Sequence, residues 1–70
     1  MERIPVSSSS IASIGYDPEI PALEVEYRQG GIYRYQGVSQ GVFEQLMNAP
    51  SKGTFINQQI KKFYAFVHVG

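Results

Sequence analysis

The sequence predicts a small α+β fold: a three-stranded antiparallel meander with two helices packed on one face, in the order β-β-β-α-α. Residues 11–36 alternate apolar and polar positions, residues 39–64 carry two apolar stripes at helical spacing, and Gly or Pro separates the segments. With 70 residues, 43% of them hydrophobic, the chain can bury one modest core. We therefore expect residues 11–70 to form a single domain after a loosely structured N-terminal arm, residues 1–10.

The first predicted strand is SIASIGY, residues 10–16. Its alternation is imperfect, with Ile14 and Tyr16 on one side and Ile11 on the other. Two prolines in residues 17–21 cannot donate ladder hydrogen bonds, so this stretch is the predicted connection to the next strand.

The second and third strands are predicted from ALEVEYR and IYRYQ. Both alternate cleanly, and the charged side chains fall on the face opposite the apolar ones. A three-residue loop, residues 29–31, with Gly31 at positive φ fits the turn between them, whereas a two-residue loop would mix the two faces. The predicted pairs are Tyr27 with Tyr33, Val25 with Tyr35, and Glu26 with Arg34.

Tyr33 and Tyr35 form a Tyr-x-Tyr motif that fits either a hydrophobic core or a platform on which a base stacks. Their predicted register places them beside Leu23 and Val25, on the only face apolar enough to receive helices. We interpret both rings as mainly core. Arg34 then lies on the opposite face.

Two helices and an extended tail complete the prediction. Ser39 is the expected N-cap of the first helix, and Ser51 that of the second. The second helix is expected to bury a stripe made of Ile56, Ile60, Phe63 and Tyr64. The tail AFVHV, residues 65–69, has extended character and is available as a short fourth strand at the C-terminus.

Composition and charge exclude several classes of function. Six basic residues balance six acidic ones, so no global field attracts nucleic acid or anionic lipid, and any such binding needs a local patch. No segment approaches the roughly 20 apolar residues that cross a bilayer, and there is no cysteine to act as a nucleophile or metal ligand. We expect a cytoplasmic protein with no membrane partner.

The sequence also lacks the combinations of residues that form catalytic sites. His68 is the only histidine, and no carboxylate cluster lies at a spacing that would serve it. Glu24 and Glu26 recur on one strand face, but Arg34 is predicted opposite Glu26, which favours a surface ion pair. We therefore expect no enzymatic activity, cofactor, metal or small-molecule substrate.

SKGTFINQQIKK is the stretch best suited to binding. Ser51 at an N-cap, Gly53 without a side chain, the free N–H groups of the first turn and the charge of Lys52 would together receive a phosphate. The ordinary alternative is that Ser51 only caps the helix, Gly53 allows close packing, and Asn57 bonds to a nearby loop.

The order of several short motifs resembles one known family, the KTSC domain. The motifs are Ser9-x-Ile11, Ile14-Gly15-Tyr16-Asp17, Leu23-Glu24-Val25, Tyr33-x-Tyr35, Leu46-Met47-x-Ala49-x-Ser51-x-Gly53 and Phe55-Ile56-Asn57-x-x-Ile60. The family is named after the C-terminal extension of some lysyl-tRNA synthetases and also occurs free-standing in bacteria and phage. The resemblance implies a domain of unknown function for which RNA binding has been suggested.

Two functional hypotheses remain. The first is a non-enzymatic module that contacts the phosphate backbone of tRNA-type RNA weakly and without base preference. Its candidate residues are Ser51, Lys52, Gly53, Lys61, Lys62 and Arg34, with Tyr33, Tyr35 and Asn57 as structural motif residues. The second is a protein-interaction or self-association module that uses a sheet edge or an apolar surface, as a monomer or weak homodimer.

Overall fold

The computed structural model describes residues 1–70 as one five-stranded antiparallel sheet with two helices. Each strand pairs with its neighbours in the chain, so the sheet order follows the sequence order, and both helices lie between the fourth and fifth strands. Neither helix combines the length and hydrophobicity that a membrane crossing requires. The elements are β1 (Arg3–Pro5), β2 (Ile11–Asp17), β3 (Ala22–Tyr27), β4 (Ile32–Gln36), α1 (Gln40–Met47), α2 (Lys52–Phe55), which continues as a π-helical segment (Ile56–Ile60), and β5 (Phe66–His68).

The predicted three-stranded meander is wrong, because one further strand lies at each edge of the sheet. The observed order is β-β-β-β-α-α-β. The strand β1 pairs with β2, and β5 pairs with β4. Strands of three residues are too short to show periodicity, so they depend on long-range pairing that sequence patterns do not reveal. The extended tail is thus a strand, but it is the fifth and not the fourth.

The register between β3 and β4 differs from the prediction by two residues. The observed pairs are Val25 with Tyr33, Leu23 with Tyr35, Glu24 with Arg34 and Glu26 with Ile32. A shift of two positions leaves every side chain on its predicted face, because side chains in a strand alternate with a period of two.

The turn between these strands explains the shift. The Tyr27 N–H donates to the Gly31 carbonyl at 3.1 Å, so the loop comprises residues 28–30 and begins one residue earlier than predicted. Both Gly30 and Gly31 have positive φ, at 114° and 93°, which residues with side chains rarely adopt. The second glycine therefore ends the loop by pairing with Tyr27.

The core lies between one face of the sheet and the two helices. A β-bulge between Ile11 and Ser13 turns Ile11 onto the core face, whereas simple alternation had placed it opposite Ile14. Nine side chains form the buried cluster: Ile11, Ile14, Leu23, Val25, Tyr35, Val38, Leu46, Ile56 and Ile60.

Both helices begin at the N-cap residues predicted from the sequence. The Ser39 and Ser51 hydroxyls each accept a backbone N–H three residues ahead, at 3.3 Å in both helices. In the π-helical segment the Lys61 N–H donates to the Ile56 carbonyl five residues earlier, at 2.9 Å. This wider turn changes the phase of the apolar stripe, and Phe63 is consequently exposed, contrary to the prediction.

Candidate functional site

An open groove lies beside the tyrosine face of the sheet, where the end of the N-terminal arm, the β3–β4 turn, β5 and the second helix meet. Its volume is ≈ 590 Å³. We call it the tyrosine groove, and it is lined by Ser10, Ile11, Tyr27, Gln29, Gly30, Tyr33, Tyr35, Gly53, Asn57, Lys61 and Phe66.

Three tyrosines form the wall of this groove. Tyr27 and Tyr35 are joined by a hydrogen bond of 2.8 Å between their hydroxyls, and the ring of Tyr27 meets that of Tyr33 edge-on at 5.6 Å. Burial raises the pKa of both Tyr27 and Tyr35, and for Tyr27 the hydrogen bond raises it further. Both phenols therefore keep their protons to a higher pH than an ordinary tyrosine does.

Tyr33 and Tyr35 both pack in or against the core, as the prediction placed them, but they differ in burial. Tyr35 is buried, as the core interpretation predicted, with only 2% of its surface exposed. Tyr33 is half-buried, and the imidazole of His68 stacks on its ring at 4.7 Å. The exposed aromatic side chain of the groove is instead Phe66, whose ring lies 5.4 Å from Tyr33 and 5.8 Å from Tyr35.

The helical side of the groove supplies a cation and an amide. The Lys61 ammonium lies 5.3 Å from the centre of the Tyr27 ring and makes no ion pair. The Asn57 side chain is exposed and makes no hydrogen bond within the chain, so the bond to a nearby loop that belonged to the ordinary alternative is not formed. No Asp or Glu lines the groove, which leaves the charge of Lys61 uncompensated there.

The start of α2 is held by contacts within the chain. The Ser51 hydroxyl accepts the Thr54 N–H at 3.3 Å and contacts the Thr54 hydroxyl at 3.0 Å. Gly53 packs so closely against the Ser10 hydroxyl that a β-carbon there would collide with it. Gly53 thus reaches the groove, whereas Ser51 does not line it.

The two other lysines proposed from the sequence lie outside the groove lining. The Lys52 ammonium donates to the Ala49 carbonyl at 3.4 Å, and Lys62 is exposed. Of the three lysines, the structure places only Lys61 among the aromatic residues.

Arg34 lies on the opposite face of the sheet, where it binds Glu24 and not Glu26. Its Nη2 and Nε donate to Glu24 Oε2 at 2.9 and 3.2 Å, and Arg3 Nη1 donates to Oε1 at 2.7 Å. Burial of the Glu24 carboxylate favours a higher pKa, but the hydrogen bonds and charges of Arg34 and Arg3 outweigh it, so the pKa is lowered. The expected surface ion pair is therefore a buried carboxylate held by two arginines.

Several groove residues were not identified as site residues from the sequence. Tyr27 was assigned to the apolar face and Phe66 to the extended tail, without a role in binding. Phe66 pairs with Tyr35 across the sheet, so the alternation of the tail would have indicated that Phe66 shares the face of the tyrosines. Ser10 and Gln29 carry no local signal, because they approach the groove only through the tertiary fold.

Comparisons with known proteins identify close relatives of this chain. Residues 7–64 match the model of the KTSC domain. An uncharacterized protein of Stutzerimonas stutzeri is 46% identical over 61 residues, which are 87% of this chain and 86% of that protein. A lysine–tRNA ligase of Nostoc punctiforme is 38% identical over 58 residues, which are 83% of this chain but only 10% of the ligase. The crystal structure of a KTSC domain protein from Yersinia pestis is similar, with a TM-score of 0.95 and 43% identity over 99% of this chain and 97% of that one.

Proposed function

The chain belongs to the KTSC domain family, and from that premise we propose that it is a small non-enzymatic module that contacts RNA through the tyrosine groove. The relatives include a lysine–tRNA ligase in which a similar region forms a small part of a much longer protein, which supports an RNA context. The proposed location is the cytoplasm, where such a module would meet tRNA.

The observation that carries this proposal is the uncompensated charge of Lys61 beside an aromatic wall. A cation next to aromatic rings is a common arrangement in grooves that follow a nucleic-acid strand. Because the net charge of the chain is zero, attraction for phosphate has to be local, and the affinity should be weak and should fall as salt rises.

The other candidate residues contribute less to the proposed RNA contact. Lys52 and Lys62 lie outside the groove lining and add attraction at longer range, which salt screens readily. Arg34 contributes little, because its guanidinium is already bound to Glu24 on the other face of the sheet.

A tRNA titration at low and at physiological salt tests the proposal. We expect measurable binding at low salt that fades as salt rises. The double variant Lys52→Glu with Lys61→Glu should abolish this binding. The matched control, Lys52→Glu with Lys62→Glu, carries the same change in net charge and should retain part of it.

Thermal melts should show that both double variants remain folded, since these side chains make no ion pairs. The proposal is wrong if the native chain has no tRNA affinity at low salt. It is equally wrong if the variant lacking Lys61 binds as well as the control.

A second candidate function is self-association or protein binding through β5. This outermost strand exposes three apolar side chains in and beside it, Phe66, Val67 and Val69, and an edge strand can pair with another strand. Sedimentation at increasing concentration would reveal a weak homodimer. Val67→Lys should dissociate that dimer. A chain that stays monomeric at high concentration would contradict self-association.

A further inference from the structure

The size of the tyrosine groove suits a small organic group. Its ≈ 590 Å³ lies within the range of about 300–1,000 Å³ typical of ligand pockets. Proteins recognise RNA bases mainly where the bases are unpaired, because only then can their faces stack on aromatic side chains. A groove of this size therefore fits one nucleotide better than it fits a helical stem.

Phe66 provides a surface on which a planar group can pack. More than half of this side chain, 53%, is exposed, although the ring is supported from within by Tyr33 and Tyr35. Tyr33 is less available, because His68 already covers a face of its ring. A base in the groove would thus remove the Phe66 ring from water without disturbing the core.

The polar groups of the groove favour an anionic ligand. Lys61 supplies a cation, and the Asn57 amide has no partner within the chain. The Tyr27 and Tyr35 hydroxyls share one hydrogen bond, so one of their two protons remains to be donated elsewhere. No carboxylate competes with an incoming phosphate.

We propose that the tyrosine groove binds a single unpaired nucleotide, with its base packed on Phe66 and its phosphate beside Lys61 and Asn57. This inference rests on the proposed function and narrows it from general backbone contact to one unstacked nucleotide of an RNA strand. It predicts that single-stranded RNA binds more tightly than the same strand in a duplex.

Fluorescence anisotropy with a short labelled RNA, free or annealed to its complement, provides the test. The single strand should bind about tenfold more tightly than the duplex, the scale of one base stacked on an aromatic ring. Phe66→Ala should remove most of that preference. Val67→Ala is the matched control, because Val67 is exposed on the same strand but points to the opposite face.

Two further pairs of variants do not depend on Phe66 or on any effect that its loss has on folding. Asn57→Ala should weaken single-strand binding severalfold, whereas Gln58→Ala, at the next exposed position and outside the groove lining, should not. Lys61→Gln should reduce the slope of log affinity against log salt by about 0.7, the value for one phosphate contact on a single strand. Lys62→Gln should leave that slope nearly unchanged.

The possible outcomes separate this inference from the proposed function. If single strand and duplex bind equally, or if Phe66→Ala and Asn57→Ala match their controls, the nucleotide site is wrong while RNA contact stands. If no RNA binds at low salt, both are wrong. Tighter binding of a polyglutamate peptide than of RNA would also overturn the inference in favour of an acidic protein ligand.

Discussion

Glu24 and Arg34 lie directly opposite each other on β3 and β4, and two hydrogen bonds of 2.9 and 3.2 Å join the guanidinium to one carboxylate oxygen. The other oxygen accepts a bond of 2.7 Å from Arg3. Since Arg3 belongs to the edge strand β1, this carboxylate links three strands across the face that the helices leave uncovered. The pair is therefore a structural feature of the sheet and not part of the groove.

Removing the charge of Glu24 should destabilise the fold. Loss of one partner from a fully buried pair costs about 3–5 kcal/mol, but the two arginine side chains are 30% and 37% exposed, so water compensates in part. We expect Glu24→Gln to lower the free energy of unfolding by about 2 kcal/mol in urea denaturation. Glu26→Gln, which affects a single bond from Ser13, should cost under about 1 kcal/mol. Equal losses would contradict this role for Glu24.

The acid stability of the chain should depend on the same carboxylate. The pKa of Glu24 in the folded chain is below its ordinary value of 4.5. Its stabilising effect is therefore fully present above pH 4.5 and is lost as the pH falls through the lowered pKa. Unfolding free energies measured along this range should show the difference between the native chain and Glu24→Gln shrinking with acidity. A difference that stays constant would be inconsistent with the lowered pKa.

Tyr35 should contribute strongly to stability through its buried ring. Truncation of a large buried aromatic side chain typically costs about 3–5 kcal/mol, and we expect this loss for Tyr35→Ala. Tyr35→Phe keeps the ring and removes only the hydrogen bond with Tyr27, so it should cost about 1 kcal/mol. Urea denaturation measures both, and similar losses in the two variants would show that the ring is not part of the core.

Alkaline conditions should weaken the fold through the linked phenols. Burial raises the pKa of Tyr27 and Tyr35 above the ordinary value of 10.0, so the unfolded chain loses these protons first. Their contribution is complete below pH 10.0 and is lost as the pH rises through the folded pKa values. Stability measured above pH 10 should fall less steeply in Tyr27→Phe than in the native chain. Identical slopes would argue against the raised pKa of Tyr27.

Gly15 should be required for the docking of β1. A β-carbon at this position would lie 2.8 Å from the Glu2 carbonyl oxygen, which belongs to the backbone and cannot move alone. We expect Gly15→Ala to cost about 1–3 kcal/mol in thermal or urea unfolding, because it displaces the segment that carries Arg3. Gly41→Ala in α1 meets only the Ser39 hydroxyl at 3.9 Å and should instead stabilise the chain by about 0.4–1 kcal/mol. A neutral Gly15→Ala would show that β1 docks loosely.

Local sequence patterns predicted part of the fold correctly, but they predicted little of the site. Ser39 and Ser51 start the helices as predicted, because an N-cap bonds only to residues in its own first turn. The roles of Ser51, Lys52 and Lys62 in binding stay predictions, as does the boundary at residue 10. Of the proposed cations, only Lys61 lies beside the aromatic wall. The groove brings together side chains from four regions of the chain, and only the tertiary fold determines which of them meet.

The sequence by itself determined which side chains of β3 and β4 face the core, because the alternation of a strand survives a shift of two residues in its register. The tertiary structure alone decided that register, the two edge strands, and the burial of Glu24 between Arg3 and Arg34. It also decided that Phe66, and not Tyr33 or Tyr35, is the most exposed aromatic ring that lines the tyrosine groove. The physical reason is that three-residue strands and buried ion pairs depend on contacts between distant residues, which no local periodicity encodes.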